Sequence, residues 1–251
     1  MNPGSLIPIV LLALFVAAFT GGASLVLIVM HWRRKPEEAS RQKIVSRERS
    51  WFFWPPHVGG FNRPASWIAI RNRNFSAVQA ALGISDPRPC TWAEALLGEQ
   101  RLFVAPPVNG WILVIGSDLP EPADDIDACF RFLLGLSHKL GHVQFFQAKP
   151  AWNHHAWVRM EAGRVLRAYA WAGGTLWNQG IKTPAELTLG LTCFHYLETT
   201  AHLSGRQLDG IAANTEKVPL LAQHWSLDPA TVDETMFAQL SGIAGIPSHL
   251  H

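Results

Sequence analysis

The chain has 251 residues, a formal net charge of +2, 48% hydrophobic and 16% charged residues. That balance excludes a disordered polymer, and the small charge excludes the basic domain face that nucleic-acid binding needs. Three cysteines, widely spaced and without a CxxC pair, exclude a disulfide framework and fit a reducing compartment.

The first five residues, MNPGS, carry no charged side chain, and none follows from Leu6 to Met30. A run of this kind is long enough for a bilayer core, which takes roughly 20 apolar residues. The expectation is a single transmembrane helix over 6–30. Within it Thr20, Gly21, Gly22, Ala23 and Ser24 form a small-residue patch of the type that lets membrane helices approach closely. Trp32 follows at the aromatic-belt position, and Arg33, Arg34 and Lys35 come next, ahead of Arg41, Lys43, Arg47 and Arg49. Basic residues stay on the cytoplasmic side, so the N-terminus is expected outside and the C-terminal domain inside a bacterial inner membrane. A cleaved secretory signal is the competing reading. The basic n-region it needs is missing, and LVLIVM continues the apolar run past any cut near Ser24.

Residues 31–66 read as a basic juxtamembrane tether that ends in an aromatic, Pro- and Gly-rich loop. Arg33, Arg34 and Lys35 are expected to contact lipid, at about 1 kcal/mol each near an anionic surface. Trp51 and Trp54, in SWFFWPP, are expected to pack on the domain or to meet lipid or a partner.

Residues 67–251 read as one α+β domain. WIAIR (67–71) is strand-like, and FSAVQAALG (75–83) has helical spacing with a glycine stop. SDPRP (85–89) reads as a turn. Thr91 and Glu94 make a capping box for TWAEALLG. RLFVA (101–105) and GWILVIG (110–116) read as a hairpin around PPVN. Residues 123–140 predict an amphipathic helix, with Asp124 and Asp125 at its start and Gly141 at its end. HVQFFQA (142–148) is the next strand. HAWVRM and RVLRAYAW then flank the turn Glu161-Ala162-Gly163-Arg164, the clearest hairpin in the chain. Beyond Gly173-Gly174 the pattern reads as helical. A helix capped by Thr183-Pro184 is expected through LTLGLTCFHYLE, with short helices near 215–224 and 229–240. The expected fold is therefore antiparallel hairpins followed by a helical C-terminal part.

Motifs with defined chemistry are few. His138 and His142 stand four apart, but Gly141 interrupts them and HKLGH lacks the glutamate of HExxH. No GxSxG, GxGxxG or Walker loop occurs, and no cysteine has a clear histidine partner. No metal, no cofactor and no catalytic residue is assigned. One cluster remains: His155, Trp157, Arg159, Arg164, Arg167 and Tyr169 on the hairpin. Arginine forks beside aromatic rings hold carboxylates and phosphates. With a two-residue turn, however, Arg167 and Tyr169 fall on the opposite face, and they join the others only through a β-bulge. The plainer alternative is an exposed sheet face with cross-strand pairs such as Glu161 with Arg164.

The stretches GWILVIGSDLP, HVQFFQA, HAWVRMEAGRVLRAYAW, LWNQG and HWSLDPATVD resemble a family of uncharacterised bacterial proteins with the same segment order. The resemblance spans 67–235. It implies one evolutionary unit there and brings no activity and no catalytic residues.

The functional expectation is a single-pass anchored accessory or protein-interaction subunit. Its domain would dock on a membrane complex, with lipid and a protein as partners and no nucleic acid. The alternatives are an enzyme or anionic-ligand-binding domain using the 155–169 hairpin face, and an immunity or defence protein.

Overall fold

The computed structural model describes residues 63–98, 100–200, 203–237 and 240–247. The chain divides into two units, Met1–Gly59 and Gly60–His251, and all described residues belong to the second. The expected span 6–30, most of the tether, and the contacts expected of Gly21, Gly22, Ser24, Trp32, Arg33, Arg34, Lys35, Trp51 and Trp54 lie outside the described residues. Among the described residues no helix is long and apolar enough to cross a membrane.

The expected α+β class with a helical C-terminal part is corrected by the sheet. Among the described residues nine strands form one antiparallel sheet in the order β2-β9-β3-β4-β1-β5-β6-β7-β8. They are β1 Ser66–Ile70, β2 Ile84–Cys90, β3 Leu102–Val104, β4 Ile112–Ile115, β5 His142–Lys149, β6 His154–Glu161, β7 Arg164–Trp171, β8 Thr175–Gln179 and β9 Gly242–Pro247. The helices are α1 Phe75–Leu82, α2 Trp92–Leu96, α3 Ile126–Leu140, α4 Pro184–Thr188 and α5 Gly205–Trp225.

Three of the nine strands depart from the sequence reading, each for a physical reason. β2 contains Pro87 and Pro89 and a bulge between Ser85 and Arg88, yet it pairs with β9. An edge strand needs its N–H groups on one side only, so proline survives there and also blunts the edge. β9 lies just beyond the helix expected over 229–240, in a stretch where no element was expected, and its glycines mask it. A Cβ on Gly242 or Gly245 would collide with the Phe103 ring or with Ile84 and the Ser85 carbonyl. β8 follows Gly173-Gly174 and pairs with β7 from Ala168↔Gln179 to Trp171↔Thr175.

Two helices also differ. α4 stops at Thr188 because Gly190 turns left-handed at φ 62, and the Leu191 N–H returns to the Glu186 carbonyl. α5 is a single helix of 21 residues that continues through Pro219, in place of a short one near 215–224. Residues 229–237 form only short 3-10 turns.

Both faces of the sheet are covered. α1 and α3 pack Val78, Leu82, Cys129, Leu133 and Leu136 onto Ile68, Val114, Phe145 and Val158. On the opposite face α2, α4 and α5 pack against Trp67, Phe103, Phe146, Trp157, Tyr169 and Trp171. Double coverage explains why ILVI in β4 and WIAI in β1 are continuously apolar instead of alternating.

Candidate functional site

The β6–β7 hairpin carries the sequence-selected cluster. Its turn is Ala162-Gly163, both at positive φ, so Glu161 opposes Arg164 and Met160 opposes Val165. The pairing then jumps: Arg159 opposes Arg167, Trp157 opposes Tyr169 and His155 opposes Trp171. Leu166 is the extra residue. This bulge rotates everything beyond it by one side-chain step. It brings His155, Trp157, Arg159, Arg167 and Tyr169 to one face, under α4 and α5.

On that face the cluster is part of the core. His155, Trp157, Arg167 and Tyr169 are all buried; Arg159 is half-buried and Arg164, at the hairpin tip, is exposed. The three rings make a mutual cluster: His155 stacks on Trp157 at 5.6 Å and on Tyr169 at 5.8 Å, and Trp157 lies tilted against Tyr169 at 4.8 Å between centroids. The Arg167 guanidinium lies 6.0 Å from the Tyr169 ring centre.

Arg167 is 1% exposed and its ion-pair partner Glu186, on α4, is 0% exposed. Arg167 Nε donates to Glu186 Oε1 at 2.8 Å. Its Nη1 donates to the Ala168 carbonyl at 2.8 Å and to Asn178 Oδ1 and the Gln179 carbonyl at 3.0 Å. Its Nη2 donates to Cys193 Sγ at 3.0 Å. Glu186 also accepts from Trp157 Nε1 at 2.8 Å, and its second oxygen accepts from the Thr183 N–H at 2.7 Å and the Thr183 hydroxyl at 3.0 Å. The guanidinium fork that the sequence offers to an external anion is thus occupied by an internal carboxylate.

His155 is equally committed. Its Nδ1 lies 2.8 Å from Thr215 Oγ1, and that hydroxyl donates onward to the Ile211 carbonyl at 3.2 Å. Both polar atoms of the pair are therefore satisfied inside the core. Nε2 faces the Asn214 amide at 3.5 Å. Burial pushes the His155 pKa down to about 3, so the ring is neutral at physiological pH. Burial also pushes the Cys193 thiol up to about 11, although Arg167 opposes the shift. Held against the Thr215 hydroxyl and 0% exposed, the imidazole is a core hydrogen-bonding element with no access for a substrate.

Sequence reading missed Glu186, Asn214, Thr215 and Cys193. Glu186 was legible only as the third residue of a capping box, which is also present in the structure. That it turns its second oxygen into the core depends on the distant β7 register. Elsewhere, His142 Nε2 lies 2.9 Å from the Gln144 amide, and the His138 ring occupies the space where a Cβ on Gly163 would stand. Among the described residues no three His, Cys, Asp or Glu side chains group as metal ligands. A cavity of about 180 Å³ lies toward the other end of the sheet, beside α2 and β9. There Glu234 Oε1 accepts from the Trp92 and Ala93 N–H groups at 2.9 and 3.3 Å.

No family model, curated protein or solved structure matches this chain. The site therefore rests on its own geometry.

Among the described residues, two of the most exposed large apolar side chains lie just before and after α4 in sequence. Ile181 and Leu197 are each 90% exposed, Leu187 64% and Tyr196 57%. Hydrogen bonds tie two of the segments that carry them to the fold. Tyr196 Oη donates to the Asn178 carbonyl at 3.0 Å and accepts from the Asn178 N–H at 2.9 Å, closing part of the free edge of β8. Lys182 Nζ donates to the Leu191 carbonyl at 2.9 Å, tying the Ile181 loop to the end of α4.

Proposed function

We propose that this protein is a single-pass membrane-anchored accessory subunit whose cytoplasmic domain docks on a protein of a membrane complex through the segment that follows β8. The observation that carries the reading is the high exposure of Ile181, Leu187, Tyr196 and Leu197, all within the segment 181–197 that follows β8. Single exposed apolar residues are ordinary, but several within one short segment mark a contact surface. Burying each large aliphatic side chain stabilises by roughly 1.5–3 kcal/mol, so such a segment gains substantially from a partner. The uncharged run 6–30 and the basic residues after it support the anchor and its orientation. The alternative of an anionic ligand on the hairpin face is less favoured, because Arg167 is already paired with Glu186.

The test is extraction of the full chain from its native membrane in mild detergent, followed by sizing. The wild type is expected to run with a stoichiometric protein partner. Ile181→Glu/Leu197→Glu is expected to run alone with an unchanged thermal midpoint. A wild type that runs as a lone chain, or a variant that keeps the same partner, overturns the reading.

A further inference from the structure

The turn between β5 and β6 has features that the docking segment does not explain. Pro150–Trp152 is a single 3-10 turn closed by Asn153 in the left-handed region at φ 53, and residues 150–153 are all exposed. Trp152, at its tip, is 50% exposed. Lys149 Nζ sits 5.4 Å from the Trp152 ring centre, and the His154 ring is 6.1 Å from it. The tip is thus an uncharged Pro-Ala-Trp-Asn sequence, with an indole at its end and a cation at its base.

The position of this turn in the fold adds a second, independent observation. The described chain begins at Arg63, and β1 starts at Ser66 beside Gln147. The Ala148 N–H donates to the Ala65 carbonyl at 2.9 Å. The turn therefore stands at the end of the sheet where the described chain begins. In sequence, residues 31–62 separate this end of the sheet from the uncharged run 6–30.

We infer that the 150–153 turn is a lipid contact: Trp152 seats in the headgroup region of the bilayer, and Lys149 lies along the interface beneath it. Tryptophan favours that zone because its body is apolar while its N–H remains hydrated, and lysine extends a charged head from an apolar stem. The inference rests on the anchored reading above. The local charge also specifies which lipids matter. Lys149 is paired with Glu121, which also accepts from Gln147 at 2.9 Å, and Asp124 and Asp125 follow nearby in sequence. With the cation neutralised in this way, the contact is with the interface itself and does not depend on anionic headgroups.

The experiment uses the full chain reconstituted in phosphatidylcholine vesicles. A nitroxide is attached to Ala151→Cys or, as a control at the opposite end of the sheet, to Asn109→Cys. Both carry Cys193→Ser, since Cys90 and Cys129 are buried. Collisions with a water-soluble nickel chelate are expected to fall at least threefold at 151 relative to 109, with oxygen collisions raised. Adding anionic phosphatidylglycerol is expected to leave that ratio unchanged. Equal chelate access at both sites, or protection at 109 instead, overturns the inference, and a ratio that needs anionic lipid overturns its charge argument. A second measurement avoids labelling. Brominated lipid is expected to quench a smaller share of the fluorescence in Trp152→Ala than in wild type, and identical quenching overturns the inference. Flotation after an alkaline wash separates the two levels. A chain that fails to float refutes the anchor and this contact with it, whereas one that floats with an accessible turn refutes only the contact.

Discussion

Replacing Glu186 by Gln tests whether the Arg167 node is structural. The carboxylate accepts four hydrogen bonds at 0% exposure, from Arg167 Nε, Trp157 Nε1, the Thr183 N–H and the Thr183 hydroxyl. An amide oxygen serves only one side of that set, and the amide nitrogen then faces another donor. The larger loss is charge. Arg167, 1% exposed, is left without its counter-ion, and breaking a buried pair from one side costs about 3–5 kcal/mol. For a domain of this size each kcal/mol moves the midpoint by roughly 2–4 °C, so a fall of about 6–20 °C is expected. The assay is thermal unfolding of the full chain in detergent, followed by near-ultraviolet circular dichroism, to which Trp157 contributes. Arg167→Met/Glu186→Leu removes both charges and is expected to recover part of the loss. It stays below wild type because Trp157 Nε1 and the Thr183 N–H lose their acceptor, at about 1–3 kcal/mol each. A Glu186→Gln midpoint within 2 °C of wild type, on the scale of that conversion, would refute the node and return Arg167 to the list of groups available to a ligand.

His155 makes stability depend on pH in a defined direction. Its folded pKa of about 3 lies below the unfolded value of about 6.5, so between those values only the unfolded chain binds the proton. The stabilisation is complete above about pH 6.5 and is lost as pH falls, by at most about 1.4 kcal/mol per unit and about 3 kcal/mol by pH 4. His155→Gln is expected to flatten the midpoint-versus-pH curve by that amount, while His142 and His154, both lowered by partial burial, titrate alike in the two proteins. Parallel curves for the two proteins would show that the ring is protonated in the native state. The bulge gives a third expectation. Deleting Leu166 leaves Met160 opposite Val165 and Arg159 opposite Arg167, so it changes stability by under about 2 kcal/mol. Deleting Ala168 instead forces Arg167 opposite Val158, into the α1–α3 face, and is expected to abolish folding. Soluble expression and the thermal midpoint of the two deletions distinguish these outcomes.

Much of the sheet was legible because its strands announce themselves locally. The β6–β7 hairpin has a turn with Gly163 at the required positive φ, and β3, β4 and β5 are apolar runs bounded by glycine or proline. The capping box at Thr91 and the N-cap at Thr183 with Pro184 after it are short-range and appear as read. The elements that escaped are those whose stability comes from distant neighbours. Gly242 and Gly245 spoil the strand pattern of β9, yet only glycine lets that strand lie against Phe103 and Ile84. α5 contains Gly210, Asn214, Thr215 and Pro219, all poor helix formers, and is held by Ile211, Val218, Leu221 and Ala222 packing on the sheet.

The candidate site was legible as a set of residues but not as an environment. Residue types alone suggested arginines beside aromatics, and the need for a bulge followed from counting along the strand. Whether the resulting face meets solvent or core depended on where residues 184–188 and 205–225 come to rest, and no local pattern encodes that. The same bulge at Leu166 that gathers Arg167 and Tyr169 with Trp157 also aims Arg167 at Glu186. Gathering and sequestering the arginine are one event. A charged cluster on a strand that needs a register shift to assemble is therefore better evidence for an internal ion pair than for an open site, because an exposed face has little to gain from shifting its register. Exposed Ile181 and Leu197 follow the opposite logic. Neither belongs to a motif, and their significance comes only from their exposure in the segment that follows β8.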